Sequence, residues 1–393
     1  MRVSLPIINV RKVRKLANDH PSPPFTKPEA YWQQLFLSTH SLAGASTVVK
    51  CEKEPRNTSA LLRKRGIKLD NTDLPFDINR FRVHEELIPA TVIDMGILDS
   101  IANGTYTRDW DNLEEDGSLY VRRYTVKGYK GRDVPIVTFC RSTLAGKTLP
   151  GFIYLHGGGY WSPWGETNLA IVKRIAMDVD CLIIAVDFAL AREFPFPAGL
   201  EDSYAACEWT WENAEMLGVD TARLAIAGDS SGANLAAAVC HMVRDRASKT
   251  RFCLQCLLIP GLDNSFSQES YLLYDSPTHP GINAKTVEYV FKLYLKNGIP
   301  EGMPHWYAAP LNAESFEGLP PAYIETADYD PLRDEGVDYA TNLTLAGVDV
   351  TFVQTRRTPH TWMVVESAYS EKYKRFRSEV IKKAFGGENS TAT

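Results

Sequence analysis

Short apolar runs recur along the chain from about residue 118 onwards. Two of them, Leu119–Tyr124 and Val134–Cys140, alternate apolar and polar side chains as a pair of half-buried strands does. Continuously apolar runs, which predict strands buried on both faces in a parallel sheet, follow at Gly151–Leu155, Cys181–Val186, Arg223–Ala227, Leu254–Ile259, Ala322–Thr326 and Val350–Val353.

Helical patterns lie between these runs, at Thr167–Met177, Leu200–Leu217, Ser231–Ala247 and Arg333–Ala346. Strand, helix and strand in repetition require right-handed crossovers. The pattern therefore predicts an α/β fold, with a mostly parallel central sheet and helices on both faces.

One long interruption separates two of the predicted strands. Within it, Ala284–Lys296 is amphipathic, with Val287, Val290, Phe291, Tyr294 and Leu295 on one stripe. We therefore expect a catalytic core of residues 118–262 and 321–393, with a helical cap. The cap combines an insertion at 263–320 with an N-terminal segment, 1–117, in which Pro28–Leu37 is predicted to be helical.

Composition and charge exclude several classes. The formal net charge of -5 gives no reason to expect a nucleic acid partner, and no apolar run approaches the roughly 20 residues of a membrane span. Seven scattered cysteines favour a reducing compartment over a disulfide framework, so we expect a cytoplasmic protein. No HExxH motif or close His/Cys cluster indicates a metal, and no cofactor is expected. A homodimer is left open.

The sequence Gly228-Asp-Ser-Ser-Gly232 is the central motif. It follows one predicted strand and opens a predicted helix, the setting in which a GxSxG serine sits on a strained turn and acts as a nucleophile. A bare GxSxG is weak evidence, because an ordinary glycine-rich turn can also open a helix. Its context favours Ser230 as a nucleophile.

A second motif, His156-Gly-Gly-Gly159, directly follows the strand at Gly151–Leu155. A glycine run lets backbone N–H groups approach a ligand, and in a hydrolase it supplies an oxyanion hole together with the N–H after the nucleophile. A phosphate-binding loop is the alternative, but no Lys-[ST] follows the glycines.

A serine nucleophile needs a base and an acid that orients the base. Where the serine lies on such a strand-to-helix turn, the acid follows it in the chain and the histidine comes last. His360 is the one histidine of eight that follows the last predicted strand. For the acid, Asp328, Asp330 and Asp334 crowd one loop. Asp330 stands at the start of the next helix, and the other two are interpreted as charges that stabilise the helix N-terminus.

These residues resemble the hormone-sensitive lipase family of α/β-hydrolases. The resemblance runs from about Val134 to the loop of His360. It rests on His156–Tyr160, on Val186–Ala191 with Pro195–Ala198 and Leu200–Asp202, on Gly228–Asn234, and on Gly318–Ala322 through Asp330–Gly336. It implies a serine esterase acting on a small-molecule ester, with the triad Ser230, Asp330 and His360. It also implies an oxyanion hole of N–H groups from Gly158, Gly159 and Ser231.

Departures from the family pattern leave the substrate open. The family stretch D-Y-R-L-A-P-E reads Asp187-Phe-Ala-Leu-Ala-Arg-Glu193 here, and the base motif H-G-F reads His360-Thr-Trp362. We expect Tyr160, Trp161 and Trp362 to line the substrate pocket. Aromatic residues in the predicted cap and loops suit a flat, polycyclic ligand; they are Tyr160, Trp161, Trp164, Tyr289, Trp306, Tyr307 and Trp362.

Two alternatives to a simple esterase follow. The first is a tailoring hydrolase, deacetylase or cyclase of specialised metabolism. The second is a non-catalytic binding protein like the plant gibberellin receptor, which resembles this family but lacks the catalytic histidine. The presence of His360 argues against the second.

Overall fold

The computed structural model describes Leu113 and residues 117–275 and 281–386. The predicted helix at Pro28–Leu37 and nearly all of the N-terminal cap segment lie outside these residues. The division of the chain into core and cap therefore stays a prediction.

Eight strands form one sheet in the order β1-β2-β4-β3-β5-β6-β7-β8. Their bounds are β1 Leu119–Lys127, β2 Asp133–Arg141, β3 Leu149–Leu155, β4 Leu182–Val186, β5 Val219–Asp229, β6 Leu254–Leu258, β7 Ala322–Tyr329 and β8 Val350–Pro359. β2 pairs antiparallel with both β1 and β4, and the other neighbours pair in parallel. The predicted α/β-hydrolase architecture, with a mostly parallel sheet, is confirmed.

Eight α-helices connect and cover these strands in the described residues. Their bounds are α1 Glu166–Asp178, α2 Ala198–Glu212, α3 Ala214–Leu217, α4 Ser231–Asp245, α5 Glu269–Leu273, α6 Ala284–Tyr294, α7 Arg333–Leu345 and α8 Ala368–Ala384. Within the long interruption, α6 begins where the side chain of Asn283 accepts a hydrogen bond from the N–H of Thr286, as an N-cap residue does.

The centre of the sheet is buried on both faces, which explains the continuous apolar runs of its central strands. In β4, Ile184 and Val186 belong to the apolar cluster on one face, whereas Ile183 and Ala185 belong to the cluster on the other. Because successive side chains of a strand point to opposite faces, a central strand with no polar face must carry apolar residues throughout.

The helix α8 was not predicted from the sequence. It is held to the sheet by Arg377, whose guanidinium donates to Glu325 of β7 at 2.9 and 3.1 Å. Both side chains are almost fully buried, and Tyr323 donates a further hydrogen bond of 2.6 Å to Glu325. The last described helix is therefore tied to the strand that leads to Asp330.

No helix among the described residues is long and apolar enough to cross a membrane.

Candidate active site

Ser230 lies on a sharp turn between β5 and α4. Its φ of 52° is positive, a backbone conformation that costs a non-glycine residue free energy. The helix after it packs directly on the end of β3, since a Cβ added at Gly232 would lie 2.0 Å from the carbonyl oxygen of Leu155. Only glycine fits there, so the glycine after Ser230 is required by the turn that presents the serine.

Ser230, His360 and Asp330 lie in one hydrogen-bonded chain. Nε2 of His360 is 3.1 Å from Oγ of Ser230, and Nδ1 is 2.7 Å from Oδ2 of Asp330. Asp330 is fully buried and His360 is 3% exposed. The second oxygen of Asp330 accepts a hydrogen bond of 2.9 Å from the N–H of Leu332. The carboxylate is thus fixed in position before it meets the imidazole.

The other two acid candidates are engaged elsewhere. Asp334 lies in the first turn of α7 and accepts hydrogen bonds from Arg333 and from the N–H of Ser270. Asp328 differs from the sequence interpretation, because it belongs to β7 rather than to a helix N-terminus. Its carboxylate accepts from the N–H of Arg357 at 3.1 Å and supports the chain before His360. β8 itself continues to Pro359, so His360 follows the strand directly.

The glycine loop bends through three consecutive residues with positive φ: Gly158 at 118°, Gly159 at 63° and Tyr160 at 64°. Glycine adopts this region freely, whereas Tyr160 is strained there. Within the described residues, no hydrogen bond occupies the N–H groups of Gly158 and Gly159. Those two donors are therefore available to a ligand beside Ser230.

A cavity of about 280 Å³ opens over Ser230. The N-terminal part of its wall is the glycine loop, and its cover is α6, which contributes Val287, Val290 and Phe291. These side chains belong to the amphipathic stripe from which a cap helix was predicted. The lining is predominantly apolar around the reactive groups, as is usual for small-molecule sites.

The structure brings two of the three predicted pocket residues to this cavity. Tyr160 and Trp161 line it, and Trp362 does not. Trp362 is fully buried beneath α8, with its ring edge-on to Tyr369 at 5.8 Å and to Tyr373 at 5.4 Å. The sequence interpretation of Trp362 is thereby corrected, because its side chain fills the core next to His360 and does not line the cavity.

Sequence reasoning did not assign a role to the side chain of Asp229 or to the hydroxyl of Ser231. Both lie within the GxSxG motif, and both line the cavity. Burial raises the pKa of Asp229, although hydrogen bonds from Tyr154 and the N–H of Gly157 oppose that change. The signal that could have found them is their position on either side of Ser230.

Comparison with known proteins decides the family. A family model described as an alpha/beta hydrolase fold matches residues 152–364, which include all three members of the hydrogen-bonded chain. The chain belongs to the hormone-sensitive lipase family of α/β-hydrolases. This confirms the resemblance drawn from the sequence.

Curated relatives include several esterases. The chain is 36% identical over 237 residues to the carboxylesterase NlhH of Mycobacterium tuberculosis, which covers 59% of this chain and 72% of the relative. It is 32% identical over 299 residues to an arylesterase of Saccharolobus solfataricus, which covers 76% of this chain and 87% of the relative.

Solved structures agree. A thermostable esterase from Pseudomonas putida is 26% identical with a TM-score of 0.67, covering 78% of this chain and 98% of that one. A bacterial heroin esterase is 27% identical with a TM-score of 0.63, covering 76% and 99%. The similarity to these esterases identifies the protein as a carboxylic ester hydrolase.

Proposed function

We propose that the protein cleaves carboxylic esters through an acyl-enzyme, with Ser230 as nucleophile, His360 as general base and acid, and Asp330 as the orienting carboxylate. The observation that carries the proposal is the continuous chain from Ser230 through His360 to Asp330. The same three residue types in this geometry perform nucleophilic acyl transfer on unrelated folds.

The first half-reaction forms the acyl-enzyme. Nε2 of His360 takes the proton of Ser230 as Oγ attacks the ester carbonyl. Asp330 accepts the Nδ1 hydrogen bond, which fixes the tautomer that leaves Nε2 free and stabilises the imidazolium that forms. His360 then gives its proton to the leaving alcohol, and the acyl group stays on Ser230.

The second half-reaction repeats these steps with water. His360 removes a proton from water as the water oxygen attacks the acyl carbon, and it then returns that proton to Oγ of Ser230 as the bond to the acyl group breaks and the acid leaves. In both halves the negative charge develops on the carbonyl oxygen, beside the N–H groups of Gly158, Gly159 and Ser231. One such donor contributes about 3 to 4 kcal/mol to the transition state in a comparable hydrolase.

The cavity supports a small to medium-sized ester as substrate. Its volume of about 280 Å³ is at the lower end of what drug-sized ligands occupy. The aromatic residues that suggested a flat, polycyclic ligand are mostly elsewhere. Of the seven, all of which lie in the described residues, Tyr160 and Trp161 line the cavity. Trp164 and Trp362 are fully buried in the core. This distribution favours a simple ester over a polycyclic intermediate.

The alternative of a non-catalytic binding protein is disfavoured, because His360 is within hydrogen-bonding distance of both Asp330 and Ser230. An inert site has no need of an imidazole held between a buried carboxylate and a serine hydroxyl. We therefore argue for an enzyme.

The test is Ser230→Ala with a p-nitrophenyl ester of short acyl chain, together with fluorophosphonate labelling. We expect the variant to lose turnover and labelling while keeping the melting temperature of the wild type. The matched control is Ser203→Ala, because the Ser203 hydroxyl is fully buried and bonds the carbonyl of Gly199 inside α2. Equal activity in Ser230→Ala and wild type would overturn the proposal.

A further inference from the structure

We infer that the two residues flanking the nucleophile, Asp229 and Ser231, clamp the glycine loop by hydrogen bonds at its two ends. This clamp fixes the position of the oxyanion donors relative to Ser230. The inference rests on the proposed function, because it concerns the oxyanion hole of that same site. It assigns both side chains as positioning residues, which act through the loop and do not touch the reacting atoms.

Asp229 holds the N-terminal end of the loop. Its Oδ1 accepts a hydrogen bond of 2.8 Å from the N–H of Gly157 and one of 2.7 Å from the hydroxyl of Tyr154. Asp229 is 5% exposed and Tyr154 is fully buried. A buried carboxylate with two such donors is a rigid acceptor, because charge-assisted hydrogen bonds are about twice as strong as neutral ones.

Ser231 holds the other end of the loop. Its Oγ accepts a hydrogen bond of 3.2 Å from the N–H of Tyr160. Tyr160 has a φ of 64°, a strained conformation that persists only where neighbouring groups impose it. On its other side, the carbonyl of Tyr160 accepts a hydrogen bond of 2.6 Å from the N–H of Ala191. Removing the Ser231 hydroxyl therefore releases one of the two hydrogen bonds that hold the backbone of Tyr160 among the described residues.

The arrangement is symmetrical about the nucleophile. The residue before Ser230 holds the residue before Gly158, and the residue after Ser230 holds the residue after Gly159. The serine and its oxyanion donors are thus linked by two short paths and move as one unit. A displacement of about 1 Å in a catalytic group can cost about a hundredfold in rate, which gives this linkage its value.

An oxyanion role and a purely structural role differ in one measurable property. When sulfur replaces the carbonyl oxygen of the ester, the developing charge lies on a weak hydrogen-bond acceptor. A thionoester therefore gains little from the oxyanion donors, and an enzyme with well-placed donors strongly prefers the oxoester. Displacing the loop slows oxoester cleavage and narrows this preference, whereas general loss of folded protein slows both substrates alike.

The experiment compares matched p-nitrophenyl oxoester and thionoester substrates on the full-length protein. The variants are Ser231→Ala, Asp229→Ala and Asp229→Asn. The control is Ser203→Ala, which also replaces a buried serine by alanine but lies in α2. Ser231→Ala keeps the backbone N–H of residue 231 and loses only the acceptor. Asp229→Asn keeps a carbonyl oxygen for the N–H of Gly157, so it serves as the conservative rescue of Asp229→Ala.

We expect kcat on the oxoester to fall about tenfold in Ser231→Ala and further in Asp229→Ala. KM should change little, the oxoester-to-thionoester ratio should narrow, and Asp229→Asn should recover part of the loss. An oxoester-to-thionoester rate ratio that stays at the wild-type value in the folded variants would overturn this inference. An inactive wild type that fluorophosphonate does not label would instead overturn the proposed function, so the two failures are distinguishable.

Discussion

The ring of Tyr160 lies stacked on the ring of Tyr294, with centroids 3.8 Å apart and planes inclined by 5°. Tyr160 belongs to the glycine loop, and Tyr294 is the last residue of α6, the helix that covers the cavity. A Cβ added at Gly159 would also lie 2.9 Å from Val290 of the same helix. The covering helix therefore packs directly on the loop that carries the proposed oxyanion donors.

Shortening Tyr294 should disturb both stability and turnover. We expect Tyr294→Leu to lower the free energy of unfolding by about 1 to 3 kcal/mol and to lower kcat/KM on a short-chain ester. The control is Tyr289→Leu on the same helix, where the side chain is 58% exposed and a change within about 0.5 kcal/mol is expected.

The hydroxyl of Tyr294 sharpens that test. It is buried and has no hydrogen-bond partner among the described residues, and such a group is unfavourable by about 1 to 3 kcal/mol. Tyr294→Phe keeps the stacked ring and removes the hydroxyl, so it should be at least as stable as the wild type by chemical denaturation. A strongly destabilised Tyr294→Phe would show that the hydroxyl has a partner.

The choice of acid can be measured by comparing two neighbouring carboxylates. Asp330→Asn should reduce kcat by about 10⁴, because the amide favours the wrong imidazole tautomer. Asp328→Asn alters a carboxylate that bonds Gln354 and the N–H of Arg357, and it should leave kcat within a few-fold. Steady-state rates at pH 8 distinguish them, and comparable losses in both variants would contradict the assignment of Asp330.

Stability should depend on pH through His241. Burial, with Arg244 beside the ring, lowers the pKa of His241 to about 3, whereas an unfolded histidine titrates near 6.5. The folded state thus holds the neutral form while the unfolded state takes up a proton. His241 stabilises the fold fully above about pH 6.5, and this contribution is lost as the pH falls towards 3, by at most about 1.4 kcal/mol per pH unit.

His241→Gln should flatten that dependence. Urea unfolding between pH 7 and pH 4 measures the slope, with His305→Gln as the control because His305 is exposed. His305→Gln should keep the slope of the wild type. Identical slopes in all three proteins would mean that other groups determine the acid limb.

Sequence order and local pattern located the strands to within a few residues, and together with the family resemblance they selected Ser230, Asp330 and His360, which lie within hydrogen-bonding distance of one another. A parallel sheet places the ends of its strands along one edge, so residues far apart in the chain become neighbours once the strand order is known. The apolar stripe of α6 was equally readable, because helical periodicity is a local property.

Packing between distant elements could not be predicted in the same way. The bulk of Trp362 and its departure from the family's base motif favour a place in the pocket, yet its neighbours Tyr369 and Tyr373 belong to the C-terminal region. α8 is rich in Lys, Arg and Glu, and most of its buried residues, namely Ser370, Lys374, Arg377 and Ser378, are polar. Its position depends on the buried pair of Arg377 and Glu325, 52 residues apart, which no short window reveals.

The buried pair of Arg377 and Glu325 limits how far the chain can be truncated. Glu325 is fully buried in the strand that ends at Tyr329, one residue before Asp330. A truncation that removes Arg377 would leave the buried carboxylate of Glu325 without its cationic partner. Such a loss lowers the free energy of unfolding by about 3 to 5 kcal/mol. The lower limit for an active fragment is therefore set by an arginine on the last described helix, well beyond the proposed catalytic histidine.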